Sequence, residues 1–424
     1  MKRLVLAAAC AALASSATAV ELKMWAPSNF TPAAGLPAAA EGYADLLARF
    51  SAENPDITIE WEVLPGGSEA LQQVLTAATA GTLPDFSVLD SFWIARVAET
   101  GKLQPLNDLW SEESRAAFYP QAIEALTFDG KIYAAWFHNA WRGLFYKTSQ
   151  LKALGFDKAP TTWEDFQAVL AAAKAAGMNG VMLPAMPADS TTLHMLPIFW
   201  GLGGELVDET GRPVFFEGEN RAKLEQTYQI YRDLVVGGFM PADVATMSET
   251  DLRPYFYANE TFAMAQSSSS AAQLYADVPA LKGDLAAFGI PLPSGDAAVP
   301  VMVGWTYGIF TDDPERKAAA WKFIDFVLRP ENIGALNGVA GLLPTMPAIW
   351  DQGAYRDNPL MQQFRTIFEV GGMRERPAVP IYPALSLAWA EQMADVLSGK
   401  ITPAQAVDNA RDATMLEYDR MSSR

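Results

Sequence analysis

Short apolar runs and amphipathic segments alternate between residues 21 and 89, and this alternation constrains the fold more than any other feature of the chain. The apolar runs at 21–25, 57–63 and 86–89 predict strands. Between them, apolar side chains recur at the three- and four-residue spacing of a helix face. A β-α-β-α-β order is typical of a mostly parallel sheet covered by helices on both faces, so we predict an α/β fold.

Small and polar residues follow each of these strands. Ser28 and Asn29 follow the first strand, Gly66 and Gly67 lie in a turn after the second, and Asp90 and Trp93 follow the third. Ligands of parallel sheets bind outside the carboxyl ends of the strands, because these ends meet at one edge of the sheet. The six residues are therefore predicted to form one half of a ligand site.

The stretch at 128–166 is rich in aromatic residues and includes Trp136 and Trp141 together with Asn139 and Arg142. Aromatic faces beside hydrogen-bonding groups suit a small polar ligand. The same residues would equally form a buried aromatic strand, since most buried aromatic side chains are structural. The spacing alone does not decide between the two interpretations.

The four consecutive serines at 267–270 also allow two interpretations. By composition they are typical of a flexible linker. Alternatively, they place hydroxyl and amide groups at the start of a helix, where polar ligand groups bind well. We favour the second interpretation because apolar residues flank the run closely.

The first 19 residues have the pattern of a secretory signal peptide. Two basic residues precede an apolar run at 4–13, and the small-residue sequence Ala-Thr-Ala ends at Ala19. The apolar run is too short to cross a membrane. We therefore expect cleavage after Ala19 and export to the periplasm. The only cysteine, Cys10, lies in this segment, so the mature chain has no thiol for disulfides or metal binding.

Length and charge narrow the function further. A chain of 424 residues is too long for one ordinary domain and predicts at least two lobes. The formal net charge of −18 opposes binding to nucleic acids and to anionic membrane surfaces. The acidic residues are spread along the whole chain, as is typical of a solvated surface.

The sequence contains no motif of a known reaction centre. G-x-S-x-G, the phosphate-binding loop and H-E-x-x-H are all missing from it. Because His138 and His194 are isolated, each is predicted to be structural or a single polar contact, and no metal site is predicted. The carboxylate pair of a glycosidase stays open, since carboxylates are plentiful, but no residue is singled out. We therefore expect a binding protein with neither catalytic residues nor a cofactor.

Six segments of the chain carry motifs in a fixed order. They are 81–85 (GTLPD), 101–106 (GKLQPL), 129–166 (beginning DGKIYA), 256–264 (FYANETFAM), 317–326 (KAAAWKFIDF) and 402–410 (TPAQAVDNA). Together they resemble the extracellular solute-binding proteins of ABC transporters, specifically the sugar-carrying family 1 with its maltose-binding-like members. The resemblance covers essentially the whole mature chain, although Asn259 stands where a glycine is commoner in that family.

The resemblance implies a two-lobed periplasmic-binding-protein fold of type II, with the ligand in a cleft between the lobes. Crossovers between the lobes are expected near Thr127–Ile132, near Val299–Trp305 and around Leu343. The expected division is 20–128 with 305–343 in lobe one, and 129–304 with 344–424 in lobe two. The lobes would close around the solute by a hinge motion.

The resemblance also implies the ligand and the partners. The solute would be a sugar or oligosaccharide, and a monomeric protein would deliver it to the permease subunits of an ABC transporter in the inner membrane. Two alternatives remain. One is a non-sugar solute such as a glycerol phosphate or polyol, for which Arg142 and Arg376 could bind the anion. The other is an exported carbohydrate-active enzyme.

Residues in the segments that would face the cleft are candidates for ligand contacts. Aromatic side chains would stack on the C–H face of a sugar ring, and polar side chains would bind its hydroxyl groups. The stacking candidates are Trp93, Trp136, Trp141, Trp200, Trp305 and Tyr382. The hydrogen-bonding candidates are Ser28, Asn29, Gly67, Asp90, Asn139, Ser268, Ser269 and Arg376. Five further tryptophans are expected in the core, namely Trp25, Trp61, Trp163, Trp321 and Trp389.

Overall fold

The computed structural model describes residues 19–65, 68–295 and 298–423. Residues 1–18, which hold most of the predicted signal peptide, and the predicted site residues Gly66 and Gly67 lie outside these ranges. The strands are β1 (Val20–Pro27), β2 (Ile57–Leu64), β3 (Phe86–Asp90), β4 (Thr127–Phe128), β5 (Lys131–Ile132), β6 (Ala135–Lys147), β7 (Asn179–Met182), β8 (Thr261–Ser267), β9 (Leu285–Phe288), β10 (Val301–Ile309) and β11 (Arg374–Glu375).

Helices cover these strands and follow them in the chain. They are α1 (Pro37–Glu53), α2 (Ser68–Ala80), α3 (Ile94–Ala98), α4 (Glu112–Arg115), α5 (Pro120–Ala125), α6 (Thr148–Ala153), α7 (Trp163–Ala175), α8 (Asp189–Gly201), α9 (Gly218–Val236), α10 (Arg253–Tyr257), α11 (Ala271–Asp277), α12 (Pro314–Leu328), α13 (Pro330–Ala340), α14 (Gly353–Arg356), α15 (Pro359–Gly371), α16 (Tyr382–Leu397) and α17 (Pro403–Ser422). None of these helices is both long and apolar enough to cross a membrane within the described residues.

The strands form a mixed sheet in the order β2-β1-β3-β10-β6-β8-β7, with β11 beside β10 and β9 beside β6. β1 pairs in parallel with β2 and with β3, as the alternating pattern predicted. The carboxyl ends of β1 and β3 therefore lie at the same edge of the sheet, where they carry Asn29 and Asp90. The predicted α/β class is confirmed.

β6 is a strand of 13 residues that belongs to both halves of the sheet. Its residues 135–141 pair with β10, and its residues 142–146 pair with β8. The pairing partner of β6 thus changes at Trp141–Arg142, and residues 127–132, where a crossover is expected, form the β4–β5 hairpin. The segment 135–147 is rich in aromatic residues and contains no proline, so it can continue as one strand.

Two layered units, which we call the first and second lobes, lie on either side of this change of partner, which we call the crossing in β6. In the first lobe, α12 packs on β1 and β10, and α1 packs on α13. In the second lobe, α7 packs on β7, while α8, α9, α16 and α17 pack on one another. Leu343, which follows α13, donates its backbone N–H to the carbonyl oxygen of Asn139 at 2.9 Å, beside the crossing in β6.

The starts of several helices follow from local sequence. Asp313 caps α12, and Thr402 caps α17 in a capping box with Gln405, as their positions before a proline predict. For α7 the sequence favours Thr161 with Glu164, but the cap is Thr162, whose hydroxyl accepts the N–H of Asp165 at 3.1 Å. Of the five tryptophans expected in the core, Trp25 and Trp389 are buried, and Trp61, Trp163 and Trp321 are partly buried against it.

Candidate functional site

A cavity of about 400 Å³ lies between the two lobes, and we call it the cleft cavity. Its first-lobe wall includes Asn29 and Phe30 after β1, and Trp305 of β10. Its second-lobe wall includes Arg253 of α10 and Ser269, which lies between β8 and α11. A volume of this size is typical of small-molecule sites, and both lobes contribute to its wall.

Trp305 provides the aromatic surface of the cleft cavity. It is only partly buried, and its ring lies 5.2 Å from that of Phe30 and 5.6 Å from that of Trp93, edge to face in the second case. Trp93 itself is 2% exposed. The two neighbouring rings fix the orientation of Trp305 and leave part of its indole beside the cavity.

His138 adds a neutral hydrogen-bonding group to the wall of the cavity. Its side chain is buried, and neither ring nitrogen has a hydrogen-bond partner among the described residues. Burial, with a smaller contribution from Arg142, lowers the pKa of His138 to about 3. The ring is therefore neutral at pH 7 and offers one donor and one acceptor, the combination that a hydroxyl group requires.

The second-lobe wall carries a group of polar side chains. Arg253 donates from Nε to Gln266 Oε1 at 3.2 Å and from Nη2 to Ser270 Oγ at 3.1 Å. Asp277 accepts hydrogen bonds from the hydroxyl of Tyr257 and from Nε2 of Gln273, both at 2.7 Å. The bond from Tyr257 is the main reason that the pKa of Asp277 is lowered, so this carboxylate is ionised at pH 7.

A buried arginine lies at the carboxyl end of β3, beside Trp93. The side chain of Arg376 is 0% exposed and is 2.6 Å from Asp90, 3.2 Å from Asp189 and 3.6 Å from Glu375. We call these four residues the Arg376 cluster. It joins the end of β3, the start of α8 and the segment after β11. Tyr382 donates to Asp189 at 3.4 Å from the side of α16.

Three carboxyl groups surround one guanidinium in the cluster. Ionisation of all three would place like charges beside one another, so the pKa of at least one carboxyl group should be raised. Burial raises the pKa of Glu375 to about 8, against the opposing effect of Arg376. Burial also raises the pKa of Asp90, although this carboxylate is the nearest to the guanidinium. Glu375 makes the longest of the three contacts, and its Oε2 is buried without a partner, so we assign the extra proton to it.

A second buried ion pair connects β6 with α8. Nε of Arg142 lies 2.7 Å from Glu249, whose carboxylate also contacts Nε2 of His194 at 3.0 Å. Burial would raise the pKa of Glu249, but Arg142 and His194 outweigh it and lower this pKa to about 2. Because Arg142 and Arg376 already face carboxylates, neither is free to bind an anionic solute.

A larger cavity of about 490 Å³ lies inside the second lobe. Its wall is mostly apolar and includes Leu144, Phe288 and Ile367, together with the ring of Trp141. Such a wall offers few free partners to the hydroxyl groups of a sugar, because its Arg142 and His194 already face Glu249, and each unpaired buried hydroxyl costs about 1–3 kcal/mol. The cleft cavity is the better candidate for a polar solute.

The structure brings only some of the predicted contacts together. Asn29, Ser269 and Trp305 line the cleft cavity. Asp90 and Arg376 belong to the Arg376 cluster, next to Trp93, and Tyr382 contacts this cluster through Asp189. Ser28 is exposed in the turn after β1, where its carbonyl oxygen accepts a bond from Thr31 at 2.9 Å.

Five other predicted contacts are buried and have structural partners instead. They are Trp136, Asn139, Trp141, Trp200 and Ser268. Trp136 is fully buried in β6, and its Nε1 donates to the carbonyl oxygen of His138. Ser268 accepts the backbone N–H of Trp141 at 3.0 Å, and the ring of Trp141 packs on Phe364.

Trp200 and Asn139 also contact other residues of the protein. The guanidinium of Arg374 lies 4.8 Å from the centre of the Trp200 ring and covers it. Asn139 donates to the carbonyl oxygen of Pro344 at 3.4 Å, which ties the crossing in β6 to the segment after Leu343. Within the stretch at 128–166, Trp136, Asn139 and Trp141 are thus buried residues of β6, whereas His138 lines the cleft cavity.

The sequence did not identify several residues of the cleft cavity. Phe30, Thr250, Arg253, Gln273 and Asp277 all line it. No motif marks them, because they come from different segments and meet only in the folded chain. For His138, the only signal in the sequence is an isolated histidine within an aromatic segment.

Residues 28–333 match the model of the family described as bacterial extracellular solute-binding protein. A binding protein of Brucella abortus (strain 2308) is 23% identical over 405 residues, which cover 94% of this chain and 93% of the relative. The sn-glycerol-3-phosphate-binding periplasmic protein UgpB of Shigella dysenteriae is 24% identical over 404 residues, with 86% of each chain covered.

Among solved structures, the maltose-bound MalE3 of T. maritima is similar to this chain. It is 25% identical, with a TM-score of 0.80, and the match covers 93% of this chain and 99% of MalE3. The two-lobed architecture expected from the sequence is therefore confirmed.

Proposed function

Because this chain belongs to the bacterial extracellular solute-binding proteins, we propose that it captures a sugar or oligosaccharide in the cleft cavity and delivers it to the permease of an ABC importer. The observation that carries this proposal is the position of Trp305, a partly buried indole in a cavity lined by both lobes. The maltose in MalE3 of T. maritima supports the choice of a sugar.

The wall of the cavity suits the two kinds of surface on a sugar. The indole of Trp305 would contact the C–H face of the ring, and about 50 Å² of buried C–H surface would contribute roughly 1 kcal/mol. The hydroxyl groups would find partners in Asn29, Ser269 and His138. His138 is a further candidate, because it lines the cavity and its buried ring nitrogens lack partners within the described residues.

Capture would involve closure of the two lobes. A solute that touches the first-lobe wall and the second-lobe wall binds better when these walls are close, so it favours the closed state. We propose the crossing in β6, together with the segments near Val299–Trp305 and Leu343, as the hinge between the lobes. The division into 20–128 with 305–343 and 129–304 with 344–424 would change accordingly, with 129–141 joining the first lobe.

The proposal also covers the oligomeric state and the cellular location of the protein. We propose that the protein acts as a monomer in the periplasm after cleavage of the signal peptide at Ala19, and that it returns the solute unchanged. The similarity to the glycerol-phosphate-binding UgpB does not by itself favour that solute here, because Arg142 and Arg376 are paired with carboxylates.

Thermal unfolding of the mature protein against mono- and oligosaccharides, polyols and glycerol phosphates tests the proposal. A ligand at 100 times its dissociation constant should stabilise the protein by about 2.7 kcal/mol and raise the melting temperature. Trp305→Ala should abolish the shift caused by a sugar, whereas Trp61→Ala should keep it. Trp61 is a suitable control because it is also partly buried but packs on Phe323, away from the cavity.

Three results would contradict the proposal. If only glycerol phosphates raise the melting temperature, the solute is not a sugar. If a sugar still raises it in Trp305→Ala, the sugar binds outside the cleft cavity. The appearance of a cleaved sugar during the incubation would indicate an enzyme.

A further inference from the structure

Arg253, in the second-lobe wall of the cleft cavity, has no carboxylate partner among the described residues. Of the other arginines in those residues, only Arg232 shares this property, and the rest form ion pairs. The chain has 49 acidic and 31 basic residues, so carboxylates are abundant. An arginine that lies in the wall of a cavity and has no carboxylate partner is therefore unusual in this chain.

The guanidinium of Arg253 is held in place by neutral groups. Gln266 and Ser270, which accept its hydrogen bonds, are themselves buried, so their positions are fixed by the fold. A guanidinium stays charged at any physiological pH, and a partly buried charge without a counter-charge is unfavourable. The third nitrogen, Nη1, makes no hydrogen bond within the described residues. The guanidinium thus keeps a donor for a group of the solute, although the carboxylate of Asp277 lies in the same wall.

Asp277 is the acidic side chain that shares the cavity wall with Arg253. Its two oxygens are engaged by Tyr257 and Gln273, and it forms no ion pair with Arg253. It nevertheless lies close enough for Arg253 to contribute to its lowered pKa. One guanidinium beside an ionised carboxylate matches a singly charged group better than a phosphate, which carries nearly two charges at pH 7 and usually takes several cationic or N–H donors.

Resting on the sugar-binding function proposed above, we propose that the solute is an acidic sugar whose carboxylate pairs with Arg253. A uronic acid combines the required parts, since it has a ring with a C–H face, several hydroxyl groups and one carboxylate. The ring would lie on Trp305 in the first lobe and the carboxylate would reach Arg253 in the second lobe. The charge pair would therefore form only when both walls contact the solute.

The test measures dissociation constants by isothermal titration calorimetry at pH 7 with matched sugars. The pairs are D-galacturonate with D-galactose and D-glucuronate with D-glucose, each also as the di- and trisaccharide, and glucose 6-phosphate is the phosphate probe. A charged hydrogen-bonded pair discriminates by about tenfold or more. We expect at least one uronate to bind about tenfold more tightly than its neutral counterpart.

Two variants test whether Arg253 causes the preference for the uronate over the neutral sugar. Arg253→Gln should bring the uronate and its neutral counterpart to similar affinity. Arg232→Gln is the matched control, because Arg232 also lacks an ion pair but donates to the carbonyl oxygen of Ile401, away from the cavity. It should keep the full preference.

The possible results of the titrations distinguish a failure of the acidic-sugar inference from a failure of the proposed sugar-binding function. Tight binding of neutral sugars with no gain from the carboxylate overturns the inference and leaves sugar capture intact. A uronate preference that survives in Arg253→Gln also overturns it, as does tighter binding of glucose 6-phosphate than of glucuronate. If no saccharide binds at all, the proposed sugar function fails, and the acidic-sugar inference fails with it.

Discussion

The indole of Trp136 lies directly against the backbone of Gly304 on the neighbouring strand β10. A β-carbon at position 304 would overlap with Nε1 of this indole and with the carbonyl oxygen of His138, to which Nε1 donates. Only glycine, whose side chain is a single hydrogen atom, therefore fits at position 304. This close approach explains how a tryptophan at the centre of the sheet is fully buried beside a partly buried one, Trp305.

The first prediction follows from that contact. Gly304→Ala should destabilise the protein by about 1–3 kcal/mol, because the strands must separate to admit the methyl group. Urea unfolding followed by tryptophan fluorescence measures this change. Gly289→Ala is the control, since a β-carbon there would meet no atom within 4 Å, and it should alter the stability by about 0.5 kcal/mol or less. Equal effects of the two substitutions would contradict the predicted overlap.

The second prediction concerns the Arg376 cluster. Arg376→Met removes the buried cation that faces Asp90 and Asp189, and leaving these partly buried carboxylates unpaired should cost about 3 kcal/mol of unfolding free energy. Arg356→Met provides the comparison, because the ion pair of Arg356 with Asp357 is exposed. Its loss should have little effect, because exposed ion pairs contribute little to stability. The prediction fails if chemical denaturation gives the same loss for both variants.

The third prediction is a pH dependence from Glu375. Because its pKa is raised from 4.5 to about 8 in the folded protein, the folded state holds a proton that the unfolded state releases. This contribution to stability is complete below about pH 4.5 and is lost as the pH rises towards 8. Wild-type protein should therefore lose stability between pH 5 and pH 8 relative to Glu375→Gln, whose amide does not titrate.

Melting temperatures of wild type and Glu375→Gln, measured at intervals across that range, check the prediction. Asp90, Asp189 and Arg376 face the same group and are present in both proteins, so their own titration affects the two curves alike to a first approximation. Curves that stay parallel from pH 5 to pH 8 would show that Glu375 does not hold the extra proton.

The sequence predicted the elements whose determinants are local. The periodicities at 21–89 lie entirely within each strand or helix, and the caps at Asp313 and Thr402 depend on residues one to three positions away. For the same reason the edge that carries Asn29 and Asp90 was predictable, since it follows from parallel pairing of β1 and β3.

The sequence could not separate ligand-facing from buried aromatic residues. Trp136 and Trp305 both lie in aromatic strands, and the complete burial of Trp136 depends on Gly304, which is distant from it in the chain. Arg376 and Asp90 are likewise far apart in sequence, as are Arg253 and Trp305. Their contacts arise from the crossing of the chain between the lobes, which no local pattern describes.

The uninterrupted strand β6 has a consequence for how the molecule denatures. Domains that are linked by a flexible segment melt as separate units, because no hydrogen bonds are shared between them. Here one strand pairs with β10 at its start and with β8 further along, so loss of either sheet half removes a partner from the other. Calorimetry should therefore record a single cooperative transition for both lobes, despite the length of the chain.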